Sequence, residues 1–148
     1  MKTFFPLFID ISGKNVLIIG GGKIAEGRIK ILTSFGAEIT VISPKVTEYI
    51  KNTSIRLIKR KYKKGDISSL TPFLVIAATD ERQANHRAMT EAKKLNINIS
   101  VADCKEECSC YFPAIADSDD YIAGLVSKNG NHSGVKKKIK KIRRILNR

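Results

Sequence analysis

The sequence predicts an α/β fold in which a parallel, doubly wound sheet is packed against helices. Two observations carry this prediction: apolar runs of strand length alternate with helical patterns, and the first apolar run ends at a cluster of glycines. The order of elements is β-α-β, a further strand, and β-α-β again. That order places a ligand crevice at the carboxyl ends of the strands.

The first strand and the turn after it are the most informative part of the chain. The strand is predicted at Asn15–Ile19 and the helix that follows at Lys23–Phe35. Gly20, Gly22 and Ala25 match the G-x-G-x-x-G/A spacing with which Rossmann-like domains hold a dinucleotide pyrophosphate. In that reading Gly20 permits the turn, Gly22 lets the phosphates approach the backbone, and Ala25 lets the helix pack closely. The alternative is a glycine turn in an ordinary α/β unit without a phosphate.

The rest of the sheet follows from short apolar and β-branched runs. Strands are predicted at Glu38–Ile42, Ile55–Ile58, Phe73–Ala78 and Ile97–Val101, with a polar helix at Glu81–Leu95. The strand at Phe73–Ala78, the fourth of the chain, is apolar throughout, which is typical of a central strand covered on both faces. Gly36 stands where a helix C-terminal glycine is expected.

The pattern changes after Asp103. Paired strands are predicted at Cys110–Ala116 and Tyr121–Ser127, around a turn at residues 117–120, and a basic amphipathic helix at Ser133–Leu146. We therefore expect a Rossmann-like domain over residues 1–103 and, over residues 104–148, a short β-hairpin and helical C-terminal extension that has no core of its own.

Charge restricts the partners of this chain. The formal net charge of the 148 residues is +13 and the sequence pI is about 9.8, which indicates a polyanionic partner. Nucleic acid, a membrane surface and a small polycarboxylate all fit that charge. No apolar run of about 18 residues and no signal-peptide pattern is found, so a cytoplasmic protein without a membrane anchor is expected.

The cysteines do not indicate a disulfide framework, because their number is odd. The spacing of Cys104, Cys108 and Cys110 matches no standard zinc pattern. A soft-metal cluster with His132 is an alternative, but we predict no metal site.

The residues alone leave the choice between NAD and NADP open. NAD-specific folds usually carry an acidic residue at the end of the second strand, and this chain has Ser43, Pro44 and Lys45 there. Ala78 and Thr79 end the fourth strand, where they would line the nicotinamide side of the crevice. Asn85 is placed to reach the same crevice, with an exposed helical asparagine as the ordinary alternative.

Taken together, these landmarks resemble the precorrin-2 dehydrogenase family, which also forms the N-terminal part of siroheme synthases. The matching segments run in the family's order from near the start of the chain to Ser133. They are Phe5–Phe8, Val16–Ala25, Val41–Pro44, Ala77–Asp80, Asn85, Val101–Asp103, Cys108, Pro113-Ala114 and Ser127–Ser133. The resemblance implies NAD-dependent oxidation of precorrin-2 to sirohydrochlorin, on the route to siroheme or a corrinoid.

The resemblance also assigns roles to residues. It makes Asp103 the essential catalytic residue and favours NAD as the cofactor. A carboxylate at this position can accept a proton, or orient and stabilise a cationic tetrapyrrole, and we expect the acid/base role. The implied cofactor contacts are Gly22, Lys23, Ile24, Ser43, Pro44, Lys45 and Thr79. The implied substrate loop comprises Ser127, Asn129, Gly130 and Ser133, which would hold the carboxylates of the tetrapyrrole. A basic crevice suits such a substrate. Members of the family form dimers, so the resemblance also implies a homodimer.

Three departures from the family qualify these expectations. Gly134 and Lys105 replace prolines, which predicts looser loops, and the chain ends at Arg148 where family members continue, which makes chelatase activity doubtful. The alternative function is a non-catalytic NAD(H)-sensing module that binds nucleic acid through its basic tail, or a tetrapyrrole. The sequence does not favour nucleic acid, because no aromatic platform or helix-turn-helix pair accompanies the tail.

Overall fold

The five strands expected from the sequence form one parallel sheet. The structure is a computed structural model that describes residues 3–147. Its strands are β1 (Asn15–Ile19), β2 (Glu38–Ile42), β3 (Arg56–Ile58), β4 (Leu74–Ala77) and β5 (Asn98–Val101). Their order in the sheet is β3-β2-β1-β4-β5, and every pairing is parallel. This order confirms the predicted Rossmann-like, doubly wound architecture.

Four helices connect these strands, and a 3-10 helix follows β5. They are α1 (Lys23–Ser34), α2 (Glu48–Lys51), α3 (Asp66–Leu70), α4 (Arg82–Lys94) and a 3-10 helix at Lys105–Glu107. The sequence reading missed α2, α3 and the 3-10 helix, because each is too short to show a helical period. The helix α3 depends on a distant residue: Glu91 accepts hydrogen bonds from the backbone N–H groups of Gly65 and Ser68, each at 3.0 Å.

The core of the sheet lies along β1. Val16, Leu17, Ile18 and Ile19 are fully buried. Helix α1 buries Ala25, Ile29 and Leu32, and α4 buries Ala84, Ala88 and Ala92. A helix face made of alanines lets α4 approach its strands closely, which explains why so polar a helix still packs on β4 and β5.

Gly36 ends α1 as expected. Its φ is +75°, its N–H donates to Thr33 O at 3.0 Å, and the N–H of Ala37 donates to Leu32 O at 3.1 Å. These two bonds close the last turn in the way that a left-handed glycine permits. The chain can then turn back into β2.

The chain divides into two compact units, Met1–Cys110 and Tyr111–Arg148. The second unit contains the antiparallel strands β6 (Ala114–Asp117) and β7 (Ile122–Leu125) and the helix α5 (His132–Leu146). Within this unit Ile139 is buried, and Arg143 Nη2 donates to Ile115 O at 2.8 Å. The hairpin and the helical extension are therefore confirmed, whereas a 1–103 domain stays a prediction.

The hairpin is shorter than the sequence indicated. Asp117 pairs with Ile122, so the turn covers Ser118 to Tyr121, where the N–H of Ser118 donates to Tyr121 O at 2.9 Å. The predicted first arm began too early, because the N–H of Cys110 donates to Ile99 O in the first unit. Within residues 3–147, no helix is long and apolar enough to span a membrane.

Candidate nucleotide-binding and catalytic site

The predicted site residues of the first unit lie at one edge of the sheet. Gly20–Gly22 follow β1, Ser43–Lys45 follow β2, Ala78-Thr79 follow β4 and Asp103 follows β5. Because the strands are parallel, their carboxyl ends share that edge. The glycine turn lies at its centre, since β1 pairs with both β2 and β4.

Gly20 is required by the close approach of two strands. Its φ is +120°, and a Cβ there would lie 2.6 Å from the carbonyl carbon of Ala78. Its N–H donates to Ile42 O at 2.9 Å, which ties the turn to β2 as well. No side chain fits this position, so the predicted structural role of Gly20 matches the geometry.

Gly21 also has no room for a side chain, although the G-x-G-x-x-G/A motif does not require a glycine at this position. A Cβ at Gly21 would lie 2.7 Å from Val46 Cγ1 and 2.8 Å from Ser43 Oγ. Its carbonyl accepts the N–H of Thr47 at 3.0 Å. The loop after β2 therefore packs directly on the glycine turn. In the sequence, the only indication of this constraint on Gly21 was the run of three consecutive glycines.

Gly22 is open, in contrast. It is exposed and is the N-cap of α1, and a Cβ built there meets nothing within 4 Å. Lys23 and Ile24 in the first turn are exposed too, while Ala25 is fully buried beneath them. An open helix N-terminus on a glycine turn suits an anionic pyrophosphate. These residues fit the predicted group.

A buried carboxylate stabilises this helix end. Glu26 pairs with Lys30 at 2.7 Å and with Lys23 at 3.4 Å. The hydrogen bond from Lys30 and a second one from Thr47 lower the pKa of Glu26 to about 2. The Thr47 contact links α1 to the loop after β2. Sequence reasoning did not single out Glu26.

The loop after β2 uses Ser43 to shape itself. Ser43 is buried, and its hydroxyl donates to Lys45 O at 2.6 Å. Its N–H donates to Ile58 O at 3.2 Å. Pro44 and Lys45 are exposed. The Ser43 hydroxyl therefore donates its only hydrogen within the loop and not to a ligand.

Three hydrogen bonds link Thr79, in the loop after β4, to Asn85. Asn85 Oδ1 accepts from Thr79 Oγ1 at 2.8 Å and from Thr79 N at 3.1 Å, and Asn85 Nδ2 donates to Thr79 O at 3.0 Å. Asn85 is fully buried, so the exposed-asparagine alternative is wrong. The first turn of α4 thus holds the loop that follows Ala78.

Asp103 lies in a charged cluster at the end of β5. The N–H of the preceding Ala102 donates to Ala77 O at 2.9 Å, which fixes the backbone to β4. The side chain of Asp103 is 36% exposed and accepts from Arg82 Nη1 at 3.1 Å. Arg82 also pairs with Glu107, and Glu107 Oε1 lies 2.6 Å from His86 Nδ1. Sequence reasoning assigned no role to Arg82, His86 or Glu107, because their separation in sequence hides their proximity.

The cysteines lie next to this cluster without forming a metal site. Cys108 is buried, and its Sγ accepts the N–H of Val101 at 3.1 Å. Burial, and then the proximity of Cys108, raise the pKa of Cys110 to about 12. Among residues 3–147, no group of three or more His, Cys, Asp or Glu side chains is arranged to hold a metal ion.

The predicted substrate loop lies in the second unit. Ser127 Oγ accepts the N–H groups of Asn129 at 3.2 Å and Asn131 at 2.8 Å. Helix α5 begins at His132 with Asn131 as its N-cap, so Ser133 lies inside the helix, where its hydroxyl donates to Asn131 Oδ1 at 3.0 Å. Gly130 has a φ of +74°. Several groups expected to face a ligand therefore hold the loop together.

Gly134 does not loosen this loop, contrary to the expectation. Its N–H donates to Asn131 Oδ1 at 2.8 Å, a bond that the proline of the family pattern lacks. A Cβ at Gly134 would lie 2.7 Å from Asn131 Nδ2. The glycine and the asparagine cap form one local structure.

The fold, the glycine turn and the open helix end define a nucleotide-binding protein. A family model described as "Putative NAD(P)-binding" matches residues 7–114, and the chain belongs to that family. NAD(P) is thus the cofactor class, as predicted.

Within the NAD(P)-binding proteins, this chain is similar to proteins of siroheme biosynthesis. The chain is 49% identical over 146 residues to the "Probable multifunctional siroheme biosynthesis protein HemA" of Ruminiclostridium josui, covering 95% of this chain and 28% of that protein. It is 36% identical over 134 residues to the siroheme synthase of Psychrobacter sp. (strain PRwf-1), covering 88% and 27%. A solved structure of SirC, precorrin-2 dehydrogenase, has the same fold, with a TM-score of 0.75 at 23% identity over 94% of this chain and 69% of that one.

These similarities confirm the resemblance stated from the sequence. The chain spans little more than a quarter of the length of the curated relatives it matches.

Proposed function

We propose that this chain oxidises precorrin-2 to sirohydrochlorin with NAD⁺, on the route to siroheme or a corrinoid. One observation carries the proposal: a partly exposed carboxylate, Asp103, shares the carboxyl edge of the sheet with the glycine turn and the Ala78-Thr79 loop. That edge is where a Rossmann-like sheet holds its ligand. The similarity to siroheme synthases and to SirC supports the choice of substrate.

The cofactor would lie across the glycine turn. The pyrophosphate would face the backbone of Gly22, Lys23 and Ile24, with Gly20 and Ala25 shaping the turn beneath it. The ribose would face Ser43, Pro44 and Lys45, and the nicotinamide would face Ala78 and Thr79. Ser43 is buried and its hydroxyl donates to Lys45 O, so Pro44 and Lys45 form the exposed part of the ribose contact.

We propose NAD rather than NADP on the strength of the resemblance. Lys45 is exposed and cationic, so attraction of a 2′-phosphate is the competing outcome. The experiment below compares the two cofactors directly.

Asp103 would act as the catalytic acid/base. Bound NAD⁺ supplies an acceptor for the hydride that leaves the macrocycle. The oxidation also releases a proton, so that the macrocycle loses two hydrogens in all. A carboxylate that is exposed enough to reach the substrate, and fixed by its backbone, suits this proton transfer.

The carboxylates of the tetrapyrrole would be bound by the second unit. Ser127, Asn129, Gly130 and Ser133 form its loop, and the exposed basic residues of α5 follow immediately. Since the loop is held by its own hydrogen bonds, it would present a preformed surface to the substrate.

We further propose that the chain forms a homodimer through α5. The side chain of Ile145 is 64% exposed, on the same helix as the buried Ile139. An Ile145→Lys variant should dissociate the dimer in sedimentation experiments. Sedimentation of the wild-type chain as a monomer would contradict this proposal.

The cytoplasm is the compartment we expect.

An anaerobic assay with enzymatically prepared precorrin-2 tests the proposal. The spectrum of sirohydrochlorin and the formation of NADH would be followed together, with NAD⁺ and NADP⁺ in parallel. We expect turnover with NAD⁺ and much slower turnover with NADP⁺. A folded chain that binds NADH but yields no sirohydrochlorin would contradict the proposed activity and favour a sensor or carrier.

A further inference from the structure

Arg82 joins two carboxylates that come from different segments of the chain. It is the first residue of α4, and its guanidinium donates through Nη1 to Asp103, in the loop after β5. Through Nη2 it pairs with Glu107, in the 3-10 helix. A planar guanidinium with donors on two nitrogens can engage both groups at once, which an ammonium group cannot do with the same fixed geometry.

Glu107 engages Nη2 of Arg82, the terminal nitrogen other than the one that contacts Asp103. Its side chain is only 15% exposed, and its Oε1 contacts both Arg82 and His86. Burial by itself would raise the pKa of Glu107, but the hydrogen bonds from Arg82 and His86 outweigh burial and leave that pKa below its ordinary value. Glu107 is thus held as a carboxylate by residues at the start of α4.

The second oxygen of Glu107 is buried in the same cluster. Among residues 3–147, Oε2 of Glu107 is a buried side-chain oxygen without a hydrogen-bond partner. Buried polar atoms are rarely left in this state, and such exceptions require an explanation. An ordinary ion pair on the surface would keep both oxygens in water and would leave the arginine free to reorient.

We propose that Arg82 is a positioning residue for Asp103, held in place by Glu107. It fixes Oδ1 of Asp103, so that Oδ2 is directed to the substrate proton. Arg82 does not itself contact the reacting atoms in this assignment. The inference rests on the proposed function, because it gives Asp103 the role of proton acceptor.

The orientation of a reacting group has a large effect on rate. A misplacement of about 1 Å can cost about 100-fold in rate. Loss of Arg82 should therefore lower kcat for precorrin-2 oxidation, while the affinity for NADH, which depends on the glycine turn, stays the same. A residue that only stabilised the fold would change both.

A double-mutant cycle tests the inference. The variants are Arg82→Gln, Asp103→Asn and the pair combined, with Arg87→Gln as the matched control on the exposed side of α4. We expect Arg82→Gln to lower kcat by about 10- to 100-fold in the wild-type background and to have no further effect in the Asp103→Asn background. The dissociation constant of NADH, from its fluorescence, should match that of the Arg87→Gln control.

Two further variants separate positioning from charge alone. Arg82→Lys keeps the charge but loses the second nitrogen and the planar geometry that reach both carboxylates, so it should recover only part of kcat. For Arg82→Ala, added guanidinium ion at low concentration should restore part of the activity, and ammonium ion should not. Equal rescue by both ions would overturn the role assigned to the planar guanidinium.

Three further results would overturn the inference in distinguishable ways. If Arg82→Gln matches Arg87→Gln while Asp103→Asn is inactive, Arg82 has no positioning role and the proposed function stands. If the two effects are additive, Arg82 acts independently of Asp103. If Asp103→Asn keeps wild-type kcat, or the wild type shows no turnover, the proposed function fails and this inference fails with it.

Discussion

Gly20 and Gly22 belong to one turn but differ in the space around them. Gly20 has a positive φ and would collide with the carbonyl of Ala78 if it carried a Cβ, whereas the Cβ position of Gly22 is open. One glycine therefore serves the fold, and the other leaves room for a ligand. Substitution by alanine should separate these roles.

Gly20→Ala should destabilise the chain by about 1–3 kcal/mol, because it forces a left-handed backbone and a steric collision between β1 and β4. Urea unfolding would measure this. Gly27→Ala is the matched control: it lies inside α1, its Cβ would meet nothing within 4 Å, and it should stabilise the helix by about 0.5–1 kcal/mol. Equal effects of the two substitutions would contradict the account.

Gly22→Ala should leave the unfolding free energy almost unchanged, because Gly22 has ordinary extended backbone and open space. It should still weaken NADH binding by about 10-fold or more, since the new methyl group would lie where the pyrophosphate approaches. Titration of NADH fluorescence would show the loss. Wild-type affinity in this variant would place the pyrophosphate elsewhere.

Asn85 provides the clearest stability test of the site. Asn85→Ala removes a fully buried side chain that hydrogen-bonds to three groups of the half-buried Thr79, and should cost about 1–3 kcal/mol. Gln83→Ala, at an exposed position of the same helix, should change stability by less than about 0.5 kcal/mol. Similar urea midpoints for both variants would mean that the Thr79 loop does not depend on Asn85.

At the scale of elements, one carboxylate links α1 to the loop after β2. The hydrogen bonds of Lys30 and Thr47 hold the pKa of Glu26 at about 2, below its usual value. The unfolded chain then binds more protons than the folded chain as the pH falls below about 5. Glu26 thus contributes stability at neutral pH, and this contribution is lost between about pH 5 and pH 2.

A Glu26→Gln variant should accordingly show a shallower loss of stability on acidification than the wild type. Chemical unfolding at a series of pH values from about 6 to about 2 measures the slope. Glu38→Gln is the control, because Glu38 is exposed at the start of β2. Parallel curves for the wild type and Glu26→Gln would contradict the role given to Glu26.

The elements also show how far sequence reasoning reaches. The strand β1, its glycine turn and α1 were predicted almost to the residue, because an apolar run, glycine spacing and a helical period agree there. The helix α3 was not predicted, since it depends on Glu91, which lies 23 residues beyond Ser68. Likewise, the cluster of Arg82, Asp103 and Glu107 forms only once β4 and β5 are paired.

At the scale of the whole molecule, the excess of positive charge suits the proposed substrate, which carries many carboxylates. The net charge of +13 should speed the encounter with such a substrate and should be screened by salt. We expect kcat/KM for precorrin-2 to fall steeply from about 50 mM to about 500 mM KCl, with a much smaller change in kcat. A kcat/KM independent of salt would contradict a steering role for the charge.

The central claim is that Asp103 performs acid/base chemistry beside a nicotinamide held by the glycine turn. The most direct test is the rate of NADH formation from precorrin-2 by the Asp103→Asn variant, measured with its affinity for NADH. The account predicts a rate at least about 100-fold below that of the wild type, with NADH affinity unchanged. An Asp103→Asn variant that oxidises precorrin-2 at the wild-type rate would contradict it.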